Sequence, residues 1–345
     1  MSATENSTVL EPLTSSLGLD GADPALVETV TSGLARVEDL LRAVVHSDVE
    51  FVDQAALHLV KAGGKRFRPL FTLLCAQLRQ EPDEKVIAAA AAVELVHLAT
   101  LYHDDVMDEA TMRRGDESAN ARWSNSVAIL TGDFLFAHAS MLVADLGAEA
   151  TRVIAETMRE LVTGQMRETI GPQGADPIEH YLSVIEQKTG SLIATAARYG
   201  AMFSGATQAQ TDSLYRYGEI LGAAFQISDD VIDIASLAAE SGKTPGTDLR
   251  EGVRTLPMLY ALAESGTHVS AADLRLCELL SGPIADDDDI EEALVLLRKS
   301  PGLERARRTL DDYADRAFTE LAALPACPAR EALELLTRYV VERTR

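Results

Sequence analysis

Two stretches of the chain set paired carboxylates on what reads as apolar helix. They are HLATLYHDDVMDEATMRRG, beginning at His97, and FQISDDVID, ending at Asp233. Asp104 and Asp108 are four residues apart, as are Asp229 and Asp233. That spacing projects each pair from one face of a helix, one turn apart. Like charges so placed destabilise a helix by a few tenths of a kcal/mol in water, and by more where the local dielectric is low. Hard divalent cations answer the repulsion, and Mg²⁺ in particular takes one or two carboxylates together with substrate phosphate oxygens. A single such motif reads as an acidic turn or cap. Two copies in apolar helix, about 125 residues apart, point to metal. The run Asp286-Asp287-Asp288-Asp289 holds more acids, yet it follows Gly-Pro, precedes the polar amphipathic IEEALVLLRK, and has no apolar bed or basic partner in the sequence. It reads as a solvated loop and helix N-cap.

Basic residues answer the acids. In GGKRFRP, Gly63 and Gly64 let backbone amides approach an anion, while Lys65 and Arg68 supply a point charge and a planar fork suited to phosphate. Arg113 and Arg114 follow Asp108 closely, and His97 lies seven residues before Asp104, on the same face two turns away. Lys188-Thr189 in EQKTGSL and Gly242-Lys243 beyond the second cluster are further candidates. The chemistry implied is two polyanion sites. One is built directly of Lys, Arg and His, and the other of Mg²⁺ held between carboxylate helices.

The elements that must position these groups are helical nearly throughout. ALVETVTSGLARVEDLLRAVV repeats apolar residues every three or four positions, VIAAAAAVELVHLATLYH reads as a helix buried on most sides, and no convincing period-2 strand appears. Breaks fall at Gly63-Gly64, Gly171 to Gly174, Gly242 to Gly246 and Ser281-Gly282-Pro283. Residues 1–24 read as a polar, poorly ordered leader, and 25–345 as one large all-α domain of about a dozen helices around a central cavity. The composition is globular, at 47% hydrophobic and 25% charged. A net charge of -23 argues against nucleic acid and against an electrostatic grip on anionic lipid, but not against a phosphorylated substrate. Three scattered cysteines form no metal-ligand pattern or disulfide framework, and they suit a reduced cytoplasmic compartment. There is no secretory signal pattern at the N-terminus, and no apolar run reads as reaching the roughly 18 residues of a membrane span.

GGKRFRP, HLATLYHDDVMDEATMRRG, EQKTGSL and FQISDDVID with GKTPGTD, in that order, closely resemble the trans-polyprenyl diphosphate synthases, most of all the medium- and long-chain bacterial members. The resemblance runs from about residue 60 to 257. It implies the isoprenyl diphosphate synthase fold, a homodimer, and head-to-tail condensation of isopentenyl diphosphate with an allylic diphosphate, releasing pyrophosphate. Carried over residue by residue, it gives Lys65, Arg68, His97 and Arg114 to isopentenyl diphosphate. Asp104, Asp108, Asp229 and Asp233 go to Mg²⁺, three ions per site with substrate bound, and Arg113 to the allylic diphosphate. Lys188, Thr189, Gln226 and Lys243 line the leaving group and the developing cation. One departure stands out: Val253 occupies a place where the family usually has lysine, with Arg254 one residue later.

The resemblance also bears on product length. Thr100 lies one turn before Asp104, and Ala99 one turn before His103. Bulky aromatics at these places floor the pocket of short-chain members. Two small residues imply a deeper tunnel and a medium or long all-trans product, with Phe134 and Phe136 as a possible lower floor, though ordinary core suits them better. A short-chain farnesyl or geranylgeranyl synthase is the nearest alternative. A class I terpene cyclase would not need the second diphosphate site, and a non-catalytic subunit of a heteromeric synthase would have lost motif residues that are intact here.

Overall fold

Charged and proline-led helix starts account for much of the element order in the computed structural model, which describes residues 18–79, 82–235, 245–264 and 270–344. Helix α1 (Pro24–Val44) begins with proline at its first position and Asp23 accepting from Leu26 N at 3.0 Å. After α2 (Glu50–Lys61) and α3 (Phe67–Ala76), α4 (Glu84–Met107) is capped by Asp83, which accepts from Lys85 N and Val86 N. Next come α5 (Ala119–Arg122), α6 (Asn125–Leu146), α7 (Ala148–Ile170) and α8 (Pro177–Ile185), the last capped by Asp176. A π-helical turn (Glu186–Gly190) joins α8 to α9 (Ser191–Phe203), which is followed by α10 (Gln208–Ala235). The remainder comprises α11 (Thr247–Glu251), α12 (Leu256–Glu264), α13 (Ala271–Leu279), α14 (Asp287–Lys299), α15 (Pro301–Ala322) and α16 (Pro328–Glu342).

The all-α expectation holds, with one addition. Met112–Arg113 and Asp116–Glu117 pair as a two-residue antiparallel hairpin, β1–β2. Its turn residues, Arg114 and Gly115, take φ of 54° and 81°, the left-handed geometry that suits a tight hairpin. Strands this short carry no alternation for a sequence reading to detect. The acidic run behaves as a cap, with Asp286 accepting from Asp288 N and Asp289 N. It does not lack basic partners, however: Arg250 reaches Asp287 at 2.8 Å and Arg275 reaches Asp289 at 2.6 Å. Both arginines lie in other helices, where local sequence gives no hint of them.

The chain divides into two compact units. The first takes in the chain as far as Arg159, with Leu192–Gly218 and Glu320–Leu335. The second takes in Glu160–Ser191, Glu219–Thr319 and the stretch from Leu336. In the first unit α4 is apolar on nearly all sides and buried to match, from Val86 through Tyr102. Tyr102, Tyr199 and Tyr217 are fully buried there, and each donates its hydroxyl to a backbone carbonyl: Ala55 O at 2.6 Å, Ala150 O at 2.7 Å and Leu333 O at 2.9 Å. In the second unit Ser228 Oγ donates to Val340 O at 2.8 Å, and Tyr313 donates to Glu186 at 2.8 Å. The reading that no apolar run reaches membrane-spanning length is corrected for α4 and α6. Both are long and apolar enough by length and composition, with 72% and 33% of the relevant window buried, respectively.

Candidate active site

Helix α4 carries two kinds of charge at its C-terminal end. Near its middle, Glu94 is 1% exposed in an otherwise apolar stretch. A buried carboxylate needs a cation. Arg66 supplies it at 3.0 Å and also pairs with Glu38. Arg66 sits in the left-handed region (φ 44°), and its guanidinium reaches back to Val60 O and Gly63 O. The middle basic residue of GGKRFRP is thus a structural tie, while Lys65 is exposed and Arg68 half-buried on either side of it. Burial pushes the Arg68 guanidinium down to about 10, against the pull of Glu94. It remains a cation near neutrality, and its Nε has no partner.

His97 lies one turn after Glu94. Its imidazole is held well below its usual range, first by burial and then by the positive charges of Arg68 and Arg114. It is therefore neutral, able to donate one N–H and accept at the other nitrogen. Arg114 donates to Leu59 O at 3.2 Å and to Gly63 O. Its guanidinium lies so close to Gly64 that a Cβ there would stand 2.8 Å from Arg114 Cζ, and Gly64 itself has φ of 131°. Only glycine fits at 64. Lys65, Arg68, His97 and Arg114, which the sequence reading grouped as one anion site, all belong to this unit, and mutual electrostatics couple Arg68, His97 and Arg114.

The helix then ends on acids. Asp104 is half-buried in the last turn, and exposed Asp108 is the C-cap, its N–H bonding Asp104 O at 2.8 Å. A helix C-terminus carries partial negative charge, so two carboxylates there are doubly disfavoured without a cation. The middle acid of the motif goes elsewhere. Asp105 is 0% exposed and receives Arg113 Nε at 2.6 Å. Arg113, assigned by resemblance to the allylic diphosphate, is bonded to this inner aspartate. Ala99 is fully buried, and half-buried Thr100 donates to His97 O at 2.8 Å. Phe134 and Phe136 are half-buried rather than interior, with Phe136 5.7 Å from the His103 ring.

The second unit holds the other acid group. Asp229, Asp230, Asp233 and Asp248, with Gln226, Pro245 and Thr247, line a cleft of about 320 Å³. Asp233 accepts from Thr247 N at 3.3 Å and Asp248 N at 3.4 Å, which brings the start of α11 to the cluster. Asp229 pairs with Arg343 at 2.9 Å. That arginine, near the end of the chain, also bonds Ser228 Oγ and Phe225 O and lies over the Phe225 ring. Asp230 is 3% exposed and accepts from Gln226 Nε2 at 3.1 Å and from Tyr181 Oη. Burial pushes its carboxyl up to about 7, against the pull of these donors. Thr189 Oγ1 reaches Gln226 Oε1 at 3.4 Å, and Lys188 pairs with Glu168. Both stand on the π-helical turn, a widened geometry that recurs at functional sites. Gly190 closes that turn where an added Cβ would meet Glu219 O at 3.0 Å, so the turn lies directly on α10.

Lys243 falls outside the described residues. Val253 is 43% exposed and Arg254 is exposed. Among the described residues no three His, Cys, Asp or Glu side chains stand together as a ready metal site. The donors nonetheless suit Mg²⁺: they are all carboxylate oxygens, two of them at a helix C-terminus and three more lining one cleft. Glu38, Arg66, Glu94, Tyr181, Asp248 and Arg343 escaped the sequence reading. Glu94 alone carried a usable signal, being a lone acid in an apolar helix.

A sequence profile of the family "Polyprenyl synthetase" matches residues 49–297. The nonaprenyl diphosphate synthase of Mycobacterium tuberculosis is 55% identical over 334 residues, covering 96% of this chain and 98% of that protein. Among solved structures, a Corynebacterium glutamicum geranylgeranyl pyrophosphate synthase complexed with calcium and isoprenyl diphosphate superposes with a TM-score of 0.83 at 48% identity, covering 93% of this chain and 98% of that one. A Rhodobacter capsulatus decaprenyl diphosphate synthase does so with a TM-score of 0.83 at 36% identity, covering 93% and 99%. The motifs, the helices that carry them and these likenesses agree: the chain belongs to the polyprenyl synthetase family and is a prenyltransferase.

Proposed function

We propose that the chain condenses isopentenyl diphosphate with an allylic diphosphate in a Mg²⁺-dependent reaction, building an all-trans medium- or long-chain polyprenyl diphosphate and releasing pyrophosphate. One observation carries the reading. A single helix, α4, carries the neutral imidazole of His97 beside the charges of Arg68 and Arg114 and, two turns on, an acid pair that demands a cation at Asp104 and Asp108. Two diphosphates bound in different ways need those two chemistries side by side.

In this reading Lys65, Arg68 and Arg114 bind the diphosphate of isopentenyl diphosphate, and neutral His97 adds an N–H donor. Asp104 and Asp108 would hold Mg²⁺ in the first unit, and Asp229, Asp233 and Asp248 would hold it in the second. Bound Mg²⁺ supplies the positive charge that makes the allylic diphosphate a leaving group. Arg113 stands next to that group through its bond to Asp105. Lys188 is assigned to the departing diphosphate, as is Lys243 by the resemblance alone. The Gln226 carbonyl and Thr189 hydroxyl offer dipoles to the carbon that becomes cationic as the carbon–oxygen bond breaks. The alkene of isopentenyl diphosphate attacks that carbon, a proton leaves, and the released pyrophosphate is the base nearest to it. Water must be excluded throughout, or the cation is captured as an alcohol.

Small Ala99 and Thr100, and the nonaprenyl and decaprenyl synthases among the similar proteins, support a long product. A homodimer is supported by α6, which exposes Ile129, Leu130 and Met141 at 43%, 67% and 63%. The unpaired thiols of Cys75, Cys277 and Cys327 suit the cytoplasm. The test is to incubate purified protein with Mg²⁺, radiolabelled isopentenyl diphosphate and a panel of allylic primers, and to read product length by chromatography. Incorporation into long chains is expected, and Ala99→Tyr should shorten them. No incorporation with any primer would sink the reaction, and an unchanged spectrum for Ala99→Tyr would sink the chain-length assignment.

A further inference from the structure

A side-chain amide has two opposite ends. The carbonyl of Gln226 stabilises a neighbouring cation, whereas its NH₂ group would repel one, and a half-turn of the last torsion exchanges them. Something must therefore fix which end faces the reacting carbon. Asp230 lies one turn further along α10, is almost fully buried, and turns its Oδ1 to the amide as an acceptor. It takes Gln226 Nε2 at 3.1 Å and so leaves Oε1 on the opposite side, where Thr189 Oγ1 meets it at 3.4 Å. Asp230 in turn is gripped on its other oxygen by the Tyr181 hydroxyl, and the backbone N–H of Leu256 adds a third donor.

We infer that Tyr181 is a positioning residue for prenyl transfer, holding the Asp230 carboxylate so that the Gln226 carbonyl, and not its NH₂ group, faces the developing cation. The inference rests on the reading of Gln226 given above. Tyr181 stands on α8, seven residues before Lys188. The close approach of Gly190 to Glu219 keeps the π-helical turn against α10 and so keeps the phenol within reach of Asp230. The Tyr181–Asp230–Gln226–Thr189 chain thus runs from one helix to the turn that follows it by way of α10. It also explains why an aspartate that lines the acid cleft is fully engaged with protein donors. Asp230 orients its neighbour instead of facing the cleft with both oxygens free.

The experiment is a double-mutant cycle in steady-state prenyl transfer. Tyr181→Phe removes one oxygen, and groups that orient an active-site residue typically contribute tenfold to a hundredfold. A fall in kcat of about tenfold is expected, with KM for both diphosphates within about twofold and an unchanged melting temperature. In a Gln226→Leu background, where no amide remains to be oriented, Tyr181→Phe should have no further effect. An unchanged kcat, a rise in KM alone, or an undiminished loss in the Gln226→Leu background would each overturn the inference. If Tyr181→Phe does not fold, the same cycle is run with Asp230→Leu, which removes the acceptor that Tyr181 holds, under the same criteria. An active wild type with an unaffected Tyr181→Phe sinks the inference alone. A wild type that transfers no prenyl group sinks the reading of the site, and the inference with it.

Discussion

The two aspartate motifs share the pattern D-D-x-x-D, yet the structure treats their middle acids differently. Asp105 is buried against a full positive charge, Arg113 at 2.6 Å. Among the described residues, Asp230 is buried against neutral donors, Tyr181, Gln226 and a backbone N–H. In both, the middle acid turns inward and is the most buried of its three. The first solution anchors the β1–β2 hairpin to α4 by an ion pair. The second spends its middle acid on orienting a neighbouring amide. A shared motif therefore does not fix the role of each carboxylate within it.

The largest expected effects test what the motifs share. Asp104→Ala and Asp229→Ala should each lower kcat at least about a thousandfold, as loss of a metal-holding group does, while far-UV circular dichroism stays unchanged. Near-normal turnover in either would remove that cluster from the metal assignment.

Stability tests what separates them. Asp105→Asn strands the Arg113 charge beside a buried site and should cost about 3 kcal/mol in chemical denaturation. Asp230→Asn leaves neutral partners to re-pair and should cost about 1 kcal/mol. The reverse order would break the distinction.

The smallest effect is one of pH. Burial raises the folded-state pKa of Asp230 from 3.8 to about 7. A raised carboxyl pKa means that the folded chain holds the proton more tightly. The stabilisation is then complete below about pH 4 and is lost as pH rises towards about 7. Asp230→Asn should flatten that part of the melting-temperature profile, measured without metal. An identical slope in both proteins would contradict it.

Much of this was legible in the chain. Asp104 and Asp108 stood out because charge in apolar helix is costly, and helix type followed from a 3.6-residue repeat. What stayed hidden was pairing across distance. Nothing near Arg66 in sequence marks Glu38 or Glu94 as its partners, nor does Arg343 advertise its bond to Asp229. Spacing alone also cannot say which of three aspartates turns inward, because that depends on where Arg113 and Tyr181 arrive. The hairpin at Met112 was invisible because two-residue strands have no period.

Glu94, sitting beneath the cationic cluster, has a consequence for turnover. It partly offsets the field of Arg66, Arg68 and Arg114 before any substrate arrives. An undiluted cluster of arginines would grip every diphosphate equally hard, and uniform affinity of that kind lowers KM without speeding the chemistry. Under the proposed function this subsite would be refilled once for every five-carbon unit added. Under the proposed function the buried acid would act as a governor on residence time, keeping the subsite strong enough to fill and weak enough to empty.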